Sequence, residues 1–186
     1  MTDEREFYFK IVVIGDSAVG KTSLIVRYTK GFFNQEYIMT LGTQISKFQA
    51  TVEGVTVKLV FWDLAGQATF EQLRKNFYNG TSAAIIVFSQ EENELGNSSL
   101  NNCIKWYQDV VKYCGMIPIM LLGNKIDLID SERLAKDDTL PKSDYNIEKL
   151  ARNLKMRGYY KTSALTGQGV TRAFVALLTE LVSKSK

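Results

Sequence analysis

The stretch GDSAVGKT, Gly15–Thr22, constrains the fold more than any other part of the chain. It fits the spacing G-x-x-x-x-G-K-[ST]. It lies between an apolar run, FYFKIVVIG (Phe7–Gly15), and a helical pattern, KTSLIVRYTKG, whose stop signal is Gly31. A glycine turn between a strand and a helix start lets backbone N–H groups wrap a phosphate chain. The partial positive charge of the helix N-terminus stands behind them. In that setting Lys21 reaches the β- and γ-phosphates and the Thr22 hydroxyl faces Mg²⁺. ATPases, nucleotide kinases and GTPases all use such a loop, so it leaves the base open.

The rest of the chain alternates strand and helix patterns. TQISKFQATVEGVTVKLVFWD reads as two strands joined by a short turn at Glu53-Gly54. SAAIIVFS and IPIMLLGN are apolar almost throughout, the mark of strands covered on both faces of a parallel sheet. Leu100, Cys103, Ile104, Tyr107, Val110, Val111 and Cys114 recur at helical spacing, which makes both cysteines core-facing thiols. Val170, Phe174, Leu177, Leu178 and Leu181 form the apolar stripe of a C-terminal helix. These patterns imply an α/β fold with helices on both faces of the sheet.

The 186 residues suit one domain, 1–186, with a core over about 7–182 and short tails. A net charge of +3 is too small to imply nucleic acid. Two cysteines and no histidine exclude both a disulfide scaffold and a Cys/His zinc site. No apolar run reaches membrane-spanning length, the N-terminus lacks a signal core, and LVSKSK carries no cysteine to prenylate. The expectation is a cytoplasmic monomer, with membrane contact only if a C-terminal anchor exists.

The base is read further along. LLGNKIDL places Asn124-Lys125-Ile126-Asp127 at the end of an apolar strand. A carboxylate at Asp127 can accept from guanine N1–H and the 2-amino group. Adenine offers an acceptor at N1 and no 2-amino group. A buried polar group left unpaired by the wrong ligand can reject it by roughly 10⁴-fold. Asn124 would tie this loop to the phosphate loop, and Lys125 would lay its aliphatic stem over the base.

With these motifs the chain resembles the Ras superfamily of small GTPases, and within it the Rab proteins. WDLAGQATF is similar to that family's second switch, YIMTLG to its first, and TSALTGQGV to its last guanine loop. The order holds from Phe7 to about Val182. The resemblance implies a mostly parallel six-stranded sheet with one antiparallel strand. It also implies a GTP/GDP switch that binds Mg²⁺ and hydrolyses GTP slowly. Catalysis would rest on Gln67, Lys21, Gly66 and Thr40, with Gln67 orienting the attacking water and the Gly66 N–H on the γ-phosphate. Thr22 and Thr40 would hold Mg²⁺, with Asp63 acting through water. The nucleotide would lie along Gly15, Asp16, Ser17, Ala18, Val19, Gly20, Lys21, Thr22 and Ser23. Phe33 would meet the guanine edge-on, beside Tyr37. Asn124, Lys125, Asp127, Ser163, Ala164 and Leu165 would frame the base, with the Ala164 N–H on guanine O6. Loss of the γ-phosphate would release the segments from about Asn34 to Thr43 and Ala65 to Phe77. Exchange factors, activating proteins and effectors would read those two switches. A scaffold that binds nucleotide without hydrolysing it is the alternative.

Several positions depart from the family pattern. Leu165 replaces a lysine, Ala18 stands where Rab proteins have glycine, and Ala68-Thr69 replaces Glu-Arg. Ile45, Trp62 and Phe77 would be the partner-reading aromatic positions, softened at Ile45. SQEENELGNSS (Ser89–Ser99) reads as a long polar loop. Leu128–Asn146 reads as an insertion that could carry an extra short helix.

Overall fold

In the computed structural model, residues 6–29, 36–40, 43–52, 54–64 and 76–185 are described. Of Tyr37, Thr40, Ile45 and Asp63, the backbone alone is described. Seven strands form one sheet: β1 (Glu6–Ile14), β2 (Glu36–Thr40), β3 (Thr43–Val52), β4 (Val55–Leu64), β5 (Ala83–Ser89), β6 (Ile119–Asn124) and β7 (Gly158–Lys161). Their order is β2-β3-β4-β1-β5-β6-β7. β1 pairs in parallel with both β4 and β5, and β6 and β7 continue in parallel. β3 runs antiparallel to β4. The six strands of the sequence reading are therefore present, β3 being the antiparallel one. β2, on the stretch read as a switch, adds a seventh at the edge by pairing antiparallel to β3.

Helices α1 (Lys21–Thr29), α2 (Glu94–Cys114), α3 (Ser131–Lys136), α4 (Asp144–Asn153) and α5 (Val170–Ser185) pack with these strands, and a short 3₁₀ turn, Ile126–Leu128, follows β6 and carries Asp127. β1 shows why helices cover both faces. Its Ile11 and Val13 join the core beneath α1 and α5, while Val12 and Ile14 join the core beneath α2 and α4. A strand apolar at successive positions has no face to give to water. The stripe Val170, Phe174, Leu177, Leu178 and Leu181 is buried throughout. Tyr28 of α1 stacks on Phe174 of α5 at 4.4 Å between ring centroids, and Phe61 of β4 meets the same ring edge-on at 5.4 Å. This aromatic triad fixes the helix that follows the phosphate loop against the sheet.

Two loop expectations change. Ser89–Ser99 is not an extended loop: Ser89 ends β5, and Asn93 caps α2, its Oδ1 accepting from Gly96 N–H at 2.9 Å. From Glu94 on, the polar run is the first turns of a helix, started by a capping asparagine, with Gly96 and Ser99 turned to the inside. Leu128–Asn146 does carry a short helix, α3, capped by Asp130, which accepts from the N–H groups of Glu132 and Arg133. Cys103 is fully buried, as its helical spacing required, and Cys114 is half-buried. Among the described residues no helix is long and apolar enough to cross a membrane.

Candidate functional site

Strand order reverses about β1, so the crevice outside the carboxyl ends of β1, β5 and β6 is the natural place for a ligand. The phosphate loop leaves β1 there, and Asn124 ends β6 there. A cleft of about 570 Å³ opens at this edge. It is lined by Gly20, Thr22, Ser23 and Arg27 on one side, Asn124, Lys125 and Asp127 on another, and Ala164 and Leu165 on the third.

The loop between β1 and α1 can take only certain residues. Gly15 has φ +140°, and a Cβ there would lie 2.1 Å from the carbonyl oxygen of Val87. Gly20 has φ +96°, and a Cβ would lie 2.3 Å from Asn124 Nδ2. Both glycines are required by backbone conformation and by space. Ala18 also sits at positive φ, +61°, which explains glycine's usual place there; alanine accepts about 1 kcal/mol of strain. Lys21 is buried, and its Nζ donates to the carbonyls of Gly15 at 3.1 Å and Asp16 at 2.8 Å. Its ammonium is thus held inside the loop that would wrap a phosphate. The Asp16 carboxylate is taken by α2: Asn102 Nδ2 donates to it at 2.7 Å and Trp106 Nε1 at 2.8 Å. What Asp16 offers a nucleotide is its backbone. Thr22 and Ser23 are exposed to the cleft.

Asn124 links three loops. It is 1% exposed; its Nδ2 donates to Val19 O at 2.9 Å, and its Oδ1 accepts from Ala164 N–H at 3.1 Å and Thr162 Oγ1 at 3.3 Å. Ser163 Oγ donates to Asp127 Oδ1 at 2.5 Å and accepts from Thr166 N–H at 3.0 Å. The Asp127 carboxylate is therefore oriented, with its other oxygen left for a ligand donor. Lys125 leaves β6 at φ +67°, and its Nζ meets Glu91 Oε2 at 2.6 Å. Leu165 is 72% exposed beside the cleft.

The sequence reading missed some residues. Arg27 Nε donates to Ala164 O at 2.7 Å, and its guanidinium also bonds the carbonyl of Leu165. Gly20, Ser23 and Arg27 share one face of the helix turn, a spacing that could have flagged Arg27. Nothing in the sequence marks Asn102, Trp106 or Glu91, whose partners are distant in the chain.

The switch residues are reached only partly. Phe33, Gly66 and Gln67 lie outside the described residues, as does most of the second switch. Thr40 ends β2 opposite Thr43 of β3. Asp63 is in register with Val13 of β1, two residues before Gly15, so its backbone runs beside the phosphate loop. The Trp62 ring lies 5.9 Å from that of Phe77, tilted by 54°, with Lys10 Nζ 3.9 Å over the Trp62 ring.

The donor set suits a guanine nucleotide. It provides a lysine and two glycines for phosphates, a hydroxyl at Thr22 for a magnesium ion, and an oriented carboxylate for the base.

The Ras family model matches residues 10–183. Ras-related protein RabC of Dictyostelium discoideum is 32% identical over 98% of this chain and 88% of its own length. GTP-binding protein RHO2 of Saccharomyces cerevisiae is 36% identical over 98% and 94%. Ras-related protein Rab-13 of Canis lupus familiaris is 32% identical over 100% and 85%. The nucleotide loops converge on one cleft, and the match runs through nearly the whole chain: this protein belongs to the Ras family of small GTPases, switches that bind guanine nucleotide and hydrolyse GTP.

Proposed function

We propose that this protein is a Rab-like timer in trafficking or signalling, read by partners through two switch segments in its GTP-bound state. The supporting observation is Asn124, whose side chain joins the phosphate loop at Val19 to the base loop at Ala164. Guanine selection rests on Asp127, fixed by Ser163. Lys21 and the loop N–H groups would hold the phosphates, and the Ala164 N–H, which here donates to Asn124 Oδ1, would turn to the guanine O6 when the base is bound. By the family resemblance, Phe33 would meet the ring edge-on, with Tyr37 beside the nucleotide. Leucine at 165 covers the base with apolar contact alone.

Thr22, Thr40 and, through water, Asp63 would hold Mg²⁺. The ion, when bound, supplies neutralisation of the phosphate charge. Gly66 N–H would bond the γ-phosphate and Gln67 would orient the water. Hydrolysis then frees both switch segments, because Thr40 and Gly66 lose the group that tethers them. No arginine of this chain occupies a finger position, so an activating protein would supply one and add roughly 10³–10⁵-fold. An exchange factor and effectors would use the same surface, with half-buried Trp62 and Phe77 as its apolar part.

Single-turnover phosphate release from GTP tests this, with ATP and Gln67→Leu in parallel. Slow release from GTP, none from ATP, and at least roughly tenfold less from the variant at unchanged GDP affinity are expected. Tight GTP binding with no release from the wild type would replace the timer by a non-hydrolysing scaffold. Comparable use of ATP would overturn the role of Asp127.

A further inference from the structure

The inserted segment between β6 and α4 is joined to the base loop through one residue that no nucleotide motif contains, Glu91. The Glu91 carboxylate accepts from Lys125 Nζ at 2.6 Å and from Ser89 Oγ at 2.8 Å. The Lys125 pairing, then the Ser89 bond, hold that carboxyl below its ordinary range, so it carries charge at neutral pH. The carbonyl of Glu91 in turn accepts from Lys142 Nζ. Lys142 lies in the insertion, just before α4, and is only 4% exposed. Burial pulls its pKa down, while Glu92 and Glu91 favour its charge.

The surroundings are shaped for this contact. Gly96 of α2 passes so close that a Cβ there would lie 1.9 Å from Glu91 O and 2.5 Å from Lys142 Nζ. Next door, Gln90 N–H donates to Asn124 O at 2.8 Å, so the neighbours of Glu91 and Lys125 share a backbone bond. A second tie joins insertion and loop, Arg133 to Glu92 at 3.4 Å.

Lys125 is the residue whose stem would cover the base. A lysine with a loose head keeps its rotamers until the ligand arrives and then loses them. One pinned at the head is ordered beforehand, and binding gains by that difference. We propose that Glu91 is a positioning residue that sets how long guanine nucleotide stays bound, and that the insertion acts on the base loop through Lys142. The proposal rests on the guanine-nucleotide reading of the cleft. It makes the insertion a regulatory handle: whatever draws Lys142 off Glu91 loosens Lys125 and speeds release.

The test is the release rate of fluorescent GDP from the full chain with magnesium. Glu91→Gln and Lys142→Met should each accelerate release by roughly three- to tenfold, the scale of one partly exposed charged hydrogen bond. Glu91→Asp, which keeps the carboxylate, should fall between Glu91→Gln and the wild type. Adding Glu91→Gln to Lys125→Met should give no further acceleration, because the effect runs through Lys125. A purely structural Glu91 would accelerate release equally in both backgrounds. That result, or a Glu91→Gln rate equal to the wild type, overturns the proposal. A Lys142→Met rate equal to the wild type, beside an accelerated Glu91→Gln, removes the insertion from it. Failure of the wild type to retain GDP at all would overturn the nucleotide reading itself, before any variant is compared.

Discussion

Asn124 donates to the carbonyl of Val19 across 105 residues of sequence, at 2.9 Å and out of contact with solvent. That single amide holds the end of β6 against the phosphate loop, and its oxygen holds Ala164 on the far side of the cleft. Asn124→Ala would leave Val19 O and Ala164 N–H without this partner. The expected result is a loss of about 2–4 kcal/mol in stability, read by urea unfolding, together with sharply weaker GDP binding. Weak binding with unchanged stability would show that the bridge acts on the nucleotide alone.

Gly15 cannot take a side chain. At φ +140°, a Cβ would stand 2.1 Å from Val87 O, a backbone atom inside the sheet. Gly15→Ala should destabilise the fold by about 3 kcal/mol or more, through conformation and overlap together. Urea unfolding measures it. A loss below about 1 kcal/mol would mean that β1 and β5 can part at their ends, against the close packing expected there.

Arg27 acts on the base loop from beneath. Its two bonds, to Ala164 O and Leu165 O, hold the two peptides that follow Ala164 at the edge of the cleft. Arg27→Met keeps most of the stem and removes the donors. GDP affinity should fall by roughly tenfold, the worth of one charged hydrogen bond in a partly exposed site. Isothermal titration decides it; unchanged affinity would leave Arg27 a helix-packing residue.

Stability should decline in alkali. Burial, with the charge of Asp16 adding to it, pushes the Cys103 thiol up to about 12 from an ordinary 9.0. Burial pushes the Tyr28 phenol up to about 12 from 10.0. Both groups keep their proton when folded and lose it first when unfolded. Above pH 9 the unfolded chain therefore binds fewer protons, and the stability present below that pH is lost as pH rises. The expected slope is about 1.4 kcal/mol per pH unit from Cys103, steepening once Tyr28 joins above pH 10. Urea midpoints from about pH 8 to about pH 11 should show it, and Cys103→Ala should flatten the first part of the fall. A variant with the wild-type slope would place the loss on other groups.

The sequence by itself determined the phosphate loop, the strand before it and the helix after it, the C-terminal helix stripe and the guanine motif. Each is a local pattern: glycines at fixed spacing, apolar runs, apolar residues at helical intervals. Gly15 and Gly20 could be named because a tight phosphate turn needs them, although the atoms that exclude a side chain, Val87 O and Asn124 Nδ2, belong to other strands. The run Ser89–Ser99 misled because its composition is that of a loop; the capping bond from Gly96 to Asn93 is what makes it a helix start. Only the tertiary structure decided that Asp16 spends its carboxylate on Trp106 and Asn102, that Arg27 holds the base loop, and that Lys142 reaches Glu91. These are pairings of side chains from separate elements. Their existence depends on which strands become neighbours, and β1 at the centre of the sheet, with β4 and β5 beside it, is what brings them together.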